Sequence, residues 1–192
     1  MRPSILIGIG SGGLRSVEAA WKFSQEISNL ADRPPVEYIY LETDGANKPI
    51  SSDIVLSPLT LNNIGATVHA IQTDISSTSQ WLNGMVFPDN VLSGAGGSPV
   101  VGRLTLWDQN NRNEFVTKLQ AAQGRLAIQS METPLVYVVG SFGGGTGSGV
   151  FLDIAYVIRD AFAGKVELQG LFMIPNRGLN TQVVYSNSIC CL

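Results

Sequence analysis

Gly143-Gly144-Gly145-Thr146-Gly147-Ser148-Gly149 closely follows the apolar run 135–139 and precedes a helix-like stretch at 150–162. A strand, a loop of almost pure glycine and a helix start is a way to surround phosphate with bare backbone N–H groups. Glycine lets the chain turn and come close to a ligand, and the helix N-terminus supplies unpaired donors and partial positive charge. The run is not a P-loop, because the Lys-Ser/Thr pair is missing. Nor is it a nucleophile elbow, since neither Ser141 nor Ser148 stands in G-x-S-x-G. Without a lysine, phosphate charge must be met by backbone donors, the helix dipole and a metal ion.

Two further glycine-rich stretches bear on the same chemistry. Gly8-Ile9-Gly10-Ser11-Gly12-Gly13 satisfies G-x-G-x-x-G between a strand and a helix, a dinucleotide fingerprint that also fits a tight turn with no ligand. The acid expected after the second strand is Glu42 or Asp44, although Asp44 stands farther on than the ~20 residues usual for a ribose contact. The second stretch is Ser93-Gly94-Ala95-Gly96-Gly97-Ser98-Pro99-Val100-Val101-Gly102-Arg103, which alone reads equally well as a surface loop.

The elements that must position these loops alternate strand with helix. Residues 4–9 are a short apolar run ended by glycine, hence a buried strand. Leu14, Val17, Ala20, Trp21 and Ile27 mark a helix over 14–31, and 36–41 is the second strand after Pro34-Pro35. Residues 54–61 read as a strand interrupted by Pro58, and 64–82 as a helix. Phe115, Leu119, Ala122 and Leu126 define an amphipathic helix over 111–129. Pro134 opens another strand, 166–174 is the next, and 183–192 starts a last helix. Continuous apolar strands alternating with helices predict an α/β fold, a three-layer Rossmann-like parallel sheet with helices on both faces. Right-handed crossovers put the post-strand loops on one edge, where such sheets bind ligands.

Composition narrows the classes. A net charge of −3 offers no basic face for nucleic acid or an anionic membrane. No apolar run approaches the ~20 residues of a membrane span. The two cysteines, Cys190 and Cys191, are adjacent, which argues against a structural disulfide and suits a reducing cytosol. A cytoplasmic location is the expectation.

The motifs together resemble the tubulin/FtsZ superfamily of GTP-binding cytoskeletal proteins. Gly143 to Gly149 matches the superfamily signature, with Ser148 in the tubulin form; Gly94-Ala95-Gly96-Gly97-Ser98-Pro99 through Gly102-Arg103 looks like the FtsZ version of its phosphate loop. Gly8 to Gly13 fits the first loop of either, Thr43-Asp44 is similar to the FtsZ Asn-Thr-Asp, and Tyr185-x-Asn187 to a tubulin segment whose asparagine contacts guanine. The hybrid character points to a divergent prokaryotic tubulin-like protein. Residues 1–192 then form one GTP-binding domain, with 45–92 longer than the pattern needs and read as an insertion.

The resemblance implies GTP/GDP and Mg2+ as cofactors. Gly143, Gly144, Gly145, Thr146, Gly147 and Ser148 would wrap the α- and β-phosphates, the two hydroxyls adding donors. Gly10, Ser11, Gly12 and Gly13 would approach from the first loop, and Gly94, Ala95, Gly96 and Gly97 would close over the γ-phosphate. Asp44 would hold a magnesium-bound water and Asn187 would read the base. Arg15 stands near where FtsZ has asparagine.

Self-association head-to-tail into filaments is also implied, an open-ended heterologous contact. In the superfamily, acidic residues on a loop past a long central helix orient the attacking water on the neighbouring subunit's nucleotide. That loop is expected past Leu192, so these residues alone are expected to bind GTP without efficient hydrolysis and to assemble poorly, and no catalytic residue is assigned. Two other classes stand beside this one: a non-hydrolysing tubulin-like scaffold, and a Rossmann NAD/FAD oxidoreductase using residues 8–13. Of the remaining conspicuous residues, Asp153 reads as a charge complementing its helix dipole. His69 reads as a surface residue, and Trp21, Trp81 and Trp107 as packing residues.

Overall fold

A computed structural model describes residues 2–29, 33–74, 79–129, 132–176 and 182–191. Three apolar strands make its centre: β1 (Ser4–Ile9), β2 (Val36–Glu42) and β4 (Leu135–Ser141). With β3 (Ile54–Pro58) and β5 (Glu167–Met173) at the edges, they form a parallel sheet in the order β3-β2-β1-β4-β5. β1 pairs with both central neighbours in register from Ser4, opposite Val36 on one side and Leu135 on the other. Buried on both faces, these strands need apolar residues throughout, which is why they read as unbroken runs.

One face is covered by α1 (Gly10–Glu26), whose Val17 packs with Tyr38, Tyr40 and Ile54. The other carries α4 (Gln109–Gln129) and α5 (Gly145–Ala161). Phe115, Leu119, Ala122 and Leu126 recur at helical spacing, and all four are buried with Ile5, Ile7, Ile9, Val136 and Ile154 in the largest core cluster. A second core joins α2 (Ile64–Thr73) to α3 (Pro99–Trp107) through Ile64, Ile71, Val101 and Leu104, with Leu82 from a 3₁₀ turn at Ser79–Leu82. α6 (Gln182–Cys191) packs on α5. The expected three-layer α/β architecture with a parallel sheet is present. Residues 45–92, read from the sequence as an insertion, supply the edge strand β3 and α2.

Several element boundaries differ from the sequence reading. β1 runs into α1 with no loop between, so residues 10–13 are the first helical turn. Helix α3, unread in the sequence, takes the end of the second glycine stretch: Ser98 is its N-cap, accepting from Val101 N–H, and Pro99 fills the first position. α5 likewise begins inside the glycine run. The helix expected over 64–82 stops at Thr73, capped by Asp74; residues 75–78 lie outside the described residues, as do 177–181 and Leu192. Pro58 ends β3, where an edge strand tolerates it. β5 exposes Leu171 and Met173, so this edge is not covered on both faces as expected. Among the described residues, no helix is long and apolar enough to cross a membrane.

Candidate nucleotide cleft

The carboxyl ends of β1, β2 and β4 open onto a cleft of about 450 Å³. From the first stretch it is lined by Gly10, Ser11 and Gly12, from the second by Gly94, Ala95, Gly96 and Gly97, and from the third by Gly144, Gly145, Thr146 and Gly147; Asp44 faces it from the end of β2. Four of the residues expected at a site do not line it: Gly13, Gly143, Ser148 and Asn187.

Each stretch is glycine-rich for a different physical reason. Gly10 turns the chain from β1 into α1 with φ +65°. Gly13 is the packing glycine of this turn, since a Cβ there would lie 2.6 Å from the Val139 carbonyl oxygen. In the second stretch Gly94, Gly96 and Gly97 have φ of +94°, +58° and +75°. Three left-handed residues in four curl the backbone tightly enough to aim amides at an anion. Gly94 N–H donates to Thr43 O (3.2 Å) and Gly45 N–H to Leu92 O (2.9 Å), which pins this loop to the end of β2.

None of the glycines from 143 to 149 lies in the left-handed region. Gly145, Gly147 and Gly149 are small because other backbone runs against them, and Gly143 because the Pro175 and Val184 side chains do. A Cβ on Gly145 would lie 2.7 Å from Ser98 N, one on Gly149 2.8 Å from Arg103 N, and one on Gly147 would strike the Ser141 carbonyl. α5 thus crosses α3 backbone to backbone, with Gly102 opposite Gly145. Gly144 is the exception: it caps α5 with φ −86°, and a Cβ there would meet nothing within 4 Å. The first intrahelical bond is Ser148 N–H to Gly144 O (3.1 Å), so the amides of Gly145, Thr146 and Gly147 precede the helix ladder at the positive end of its dipole.

The side chains are committed more fully than the sequence suggests. Ser148 Oγ donates to the Gly144 carbonyl and turns away from the cleft. Thr146 Oγ1 meets Thr43 Oγ1 at 2.7 Å, joining α5 to the end of β2. Asn187 Nδ2 donates to Gly97 O (2.7 Å) and Gly143 O (3.2 Å), so it braces the second and third stretches from behind. Asp44 Oδ1 accepts from Ala46 N–H at 2.9 Å. Among the described residues, no group of three His, Cys, Asp or Glu could hold a metal. Mg2+ bound with phosphates needs no such cage, since one carboxylate plus phosphate oxygens and water suffice; Asp44 fits that role.

Two cleft residues do something other than the sequence patterns suggested, Glu42 having been read there only as a possible ribose contact. Glu42, 3% exposed, accepts from Tyr40 OH, Thr43, Asp44 and Asn47. A charged residue closing the run Tyr38-Ile39-Tyr40-Leu41 was its signal. Burial, then the bond to Glu42, pushes the Tyr40 hydroxyl far above the ordinary tyrosine range. Arg15 is exposed and, among the described residues, supplies the one cation of the cleft-lining side chains.

Away from the cleft, Asp153 is no free dipole partner. It pairs with Arg103 (Nε to Oδ2, 2.7 Å; Nη2 to Oδ1, 3.1 Å) and accepts from Trp107 Nε1 at 3.1 Å. The Arg103 guanidinium lies 5.0 Å from the ring centres of both Trp81 and Trp107, so the two tryptophans pack on a cation that clamps α3 to α5. His69 is exposed.

A family model described as tubulin-like matches residues 5–190. Comparison with curated proteins gives no match. Among solved structures, the fold is similar to CetZ2 from Haloferax volcanii in a GTPγS-bound protofilament, at TM-score 0.55 and 20% identity over 98% of this chain and 44% of that one. It is also similar to CetZ from Methanosaeta thermophila strain DSM 6194 (0.61, 17%, 100% and 41%). The GDP-bound monomer of Haloferax volcanii CetZ1 is a third (0.59, 18%, 100% and 46%). At these identities the likeness concerns the fold, and the chain spans less than half the length of each. The family model reaches from β1 to α6, over every element that forms the cleft: the resemblance to the tubulin/FtsZ superfamily holds, and the chain belongs to the tubulin-like family.

Proposed function

We propose that the cleft binds a guanine nucleotide with Mg2+, and that the protein is a cytoplasmic filament former assembling head-to-tail. The observation that carries this is convergence: three glycine stretches, distant in sequence, line one cleft at the carboxyl edge of the sheet. The amides of Gly145, Thr146 and Gly147 donate to phosphate oxygens with the dipole of α5 behind them. Ser11 and Gly12 approach from the other side, and Ala95, Gly96 and Gly97 close over the terminal phosphate. Asp44 would hold the metal ion through a water, and the ion would supply the charge neutralisation that a P-loop lysine supplies elsewhere. Asn187 holds the two phosphate-facing loops together. Hydrolysis then depends on an acidic loop of the adjacent subunit.

The GTPγS-bound protofilament of CetZ2 and the GDP-bound CetZ1 support guanine nucleotide and self-association as the reading for this fold. An oxidoreductase using residues 8–13 alone leaves the convergence of the other two stretches unexplained. Titration of the purified protein with labelled GTP, ATP and NADH, with Mg2+ and with EDTA, tests the proposal. Selective, magnesium-dependent GTP binding is expected; binding of NADH alone would overturn it.

A further inference from the structure

We propose that Glu42 is the positioning residue of this cleft: its buried carboxylate fixes the turn that presents Thr43 and Asp44 to a nucleotide. The inference rests on the nucleotide reading above and names a residue which that reading does not use. Oε1 accepts from Thr43 N–H (2.8 Å), Asp44 N–H (3.1 Å) and Thr43 Oγ1 (3.4 Å). Oε2 accepts from Tyr40 OH and from Asn47 Nδ2 (3.2 Å). A carboxylate offers about four lone-pair sites, so these donors occupy Glu42 fully. It has no site left for a metal or ribose, although it faces the cleft. Its effect passes through the groups it holds.

Those groups are the ones the cleft needs. At the end of β2 the amides of Thr43 and Asp44 leave the sheet ladder, and Glu42 satisfies both. The turn is closed by Asn47 N–H to Asp44 O (3.2 Å) and tied to the second glycine stretch by Gly94 N–H to Thr43 O. Through Thr43 Oγ1 the order reaches Thr146 and the start of α5. Glutamine at this position has nearly the same shape but one acceptor oxygen and one NH2. With its NH2 toward the two backbone amides it sets donor against donor; turned the other way, its oxygen keeps them only in weaker, uncharged bonds.

The test is Glu42→Gln, read in two ways. In ligand-free protein, hydrogen exchange at the Thr43 and Asp44 amides is expected to accelerate about tenfold or more, the loss of a bond to a charged acceptor, while β1 and β4 keep their protection. Affinity for GTPγS with Mg2+ is expected to fall about tenfold, and Glu42→Gln combined with Asp44→Ala to bind no more weakly than the worse single variant. Unchanged protection at 43 and 44, or losses that add in full, overturns the proposal. If the wild type binds no nucleotide, the nucleotide reading falls by itself, and the exchange rates still decide whether Glu42 orders the turn. Asn47→Ala removes one donor to the same carboxylate; it is expected to show the same pattern more weakly, and decides the matter if Glu42→Gln loses its helical circular dichroism.

Discussion

Two alanine substitutions in the glycine run, one residue type apart from wild type and five positions from each other, should fail in opposite ways. Gly149 sits where α5 crosses α3: a Cβ there meets the Pro99 carbonyl and lies 2.8 Å from Arg103 N and 3.1 Å from Gly102 C, all of it backbone. No rotamer change relieves this, so in Gly149→Ala α3 must retreat by roughly 1 Å to reach ordinary contact. Overpacking of this kind costs about 1–3 kcal/mol, and retreat also stretches the Arg103–Asp153 clamp one turn away. The better helix propensity of alanine returns about 1 kcal/mol. A net loss of about 1 kcal/mol lowers Tm by roughly 2–4 °C for a chain of this size. Gly144 differs. Its φ of −86° suits any residue, and no atom lies within 4 Å of its missing Cβ. Gly144→Ala should change stability by about 0.5–1 kcal/mol, the difference between glycine and alanine at an N-cap. Its methyl enters the cleft, however, and GTP affinity should fall about tenfold or more as ligand and methyl compete for one volume. Thermal denaturation followed by circular dichroism, with labelled-GTP titration of each variant, separates the two. Wild-type stability in Gly149→Ala would refute the backbone crossing; wild-type affinity in Gly144→Ala would refute the placement of phosphate over the α5 cap.

Three other outcomes follow from single groups. Ser57 Oγ, wholly buried in β3, has no hydrogen-bond partner among the described residues, so Ser57→Ala should gain about 1 kcal/mol in urea denaturation. Tyr40 keeps its proton in the folded state far above its ordinary range, because of burial first and Glu42 second. Its folded pKa exceeds its unfolded one, so its contribution is intact below about pH 10 and is lost above it as the unfolded chain ionises, at up to about 1.4 kcal/mol per pH unit. The slope of Tm between pH 10 and 11 should therefore be shallower in Tyr40→Phe than in wild type. Burial, and then the neighbouring Cys190, raises the Cys191 thiol, whereas Cys190 is exposed. A thiol reagent at pH 8 should react in a fast and a slow phase, and Cys190→Ser should abolish the fast one.

The centre of the sheet was legible because β1, β2 and β4 obey a rule visible in one dimension: buried on both faces, they must be largely apolar. α4 was legible for a similar reason, as Phe115, Leu119, Ala122 and Leu126 repeat on one face. α3 was not. Its sequence, PVVGRLTLW, carries a glycine and follows a glycine loop, and its polar face is occupied by Arg103, which is drawn to Asp153 fifty positions away. No local pattern contains that partner. The site shows the same divide. Which residues gather at the cleft could be read from strand–glycine–helix order. Which of them have hydroxyls to spare could not: whether Ser148 faces a ligand or its own helix depends on where the Gly144 carbonyl lies.

The glycine run illustrates how far a motif can be trusted. Its density of glycine suggests conformational freedom, yet every residue from 143 to 149 has backbone angles open to other residues. What excludes side chains there is proximity. Gly145 and Gly149, one turn apart, let α3 lie against α5, and Gly147 lets α5 start beside the end of β4. Because α3 begins two residues after Gly97, this crossing fixes where the second glycine stretch can sit. A run that reads as a ligand cradle therefore does most of its work on the protein itself: it sets the distance between two helix starts, and the cleft is the space left between them. Only Gly144, exposed and unopposed, is left to be explained by a ligand. For that reason its alanine variant, rather than any other in the run, bears on nucleotide binding.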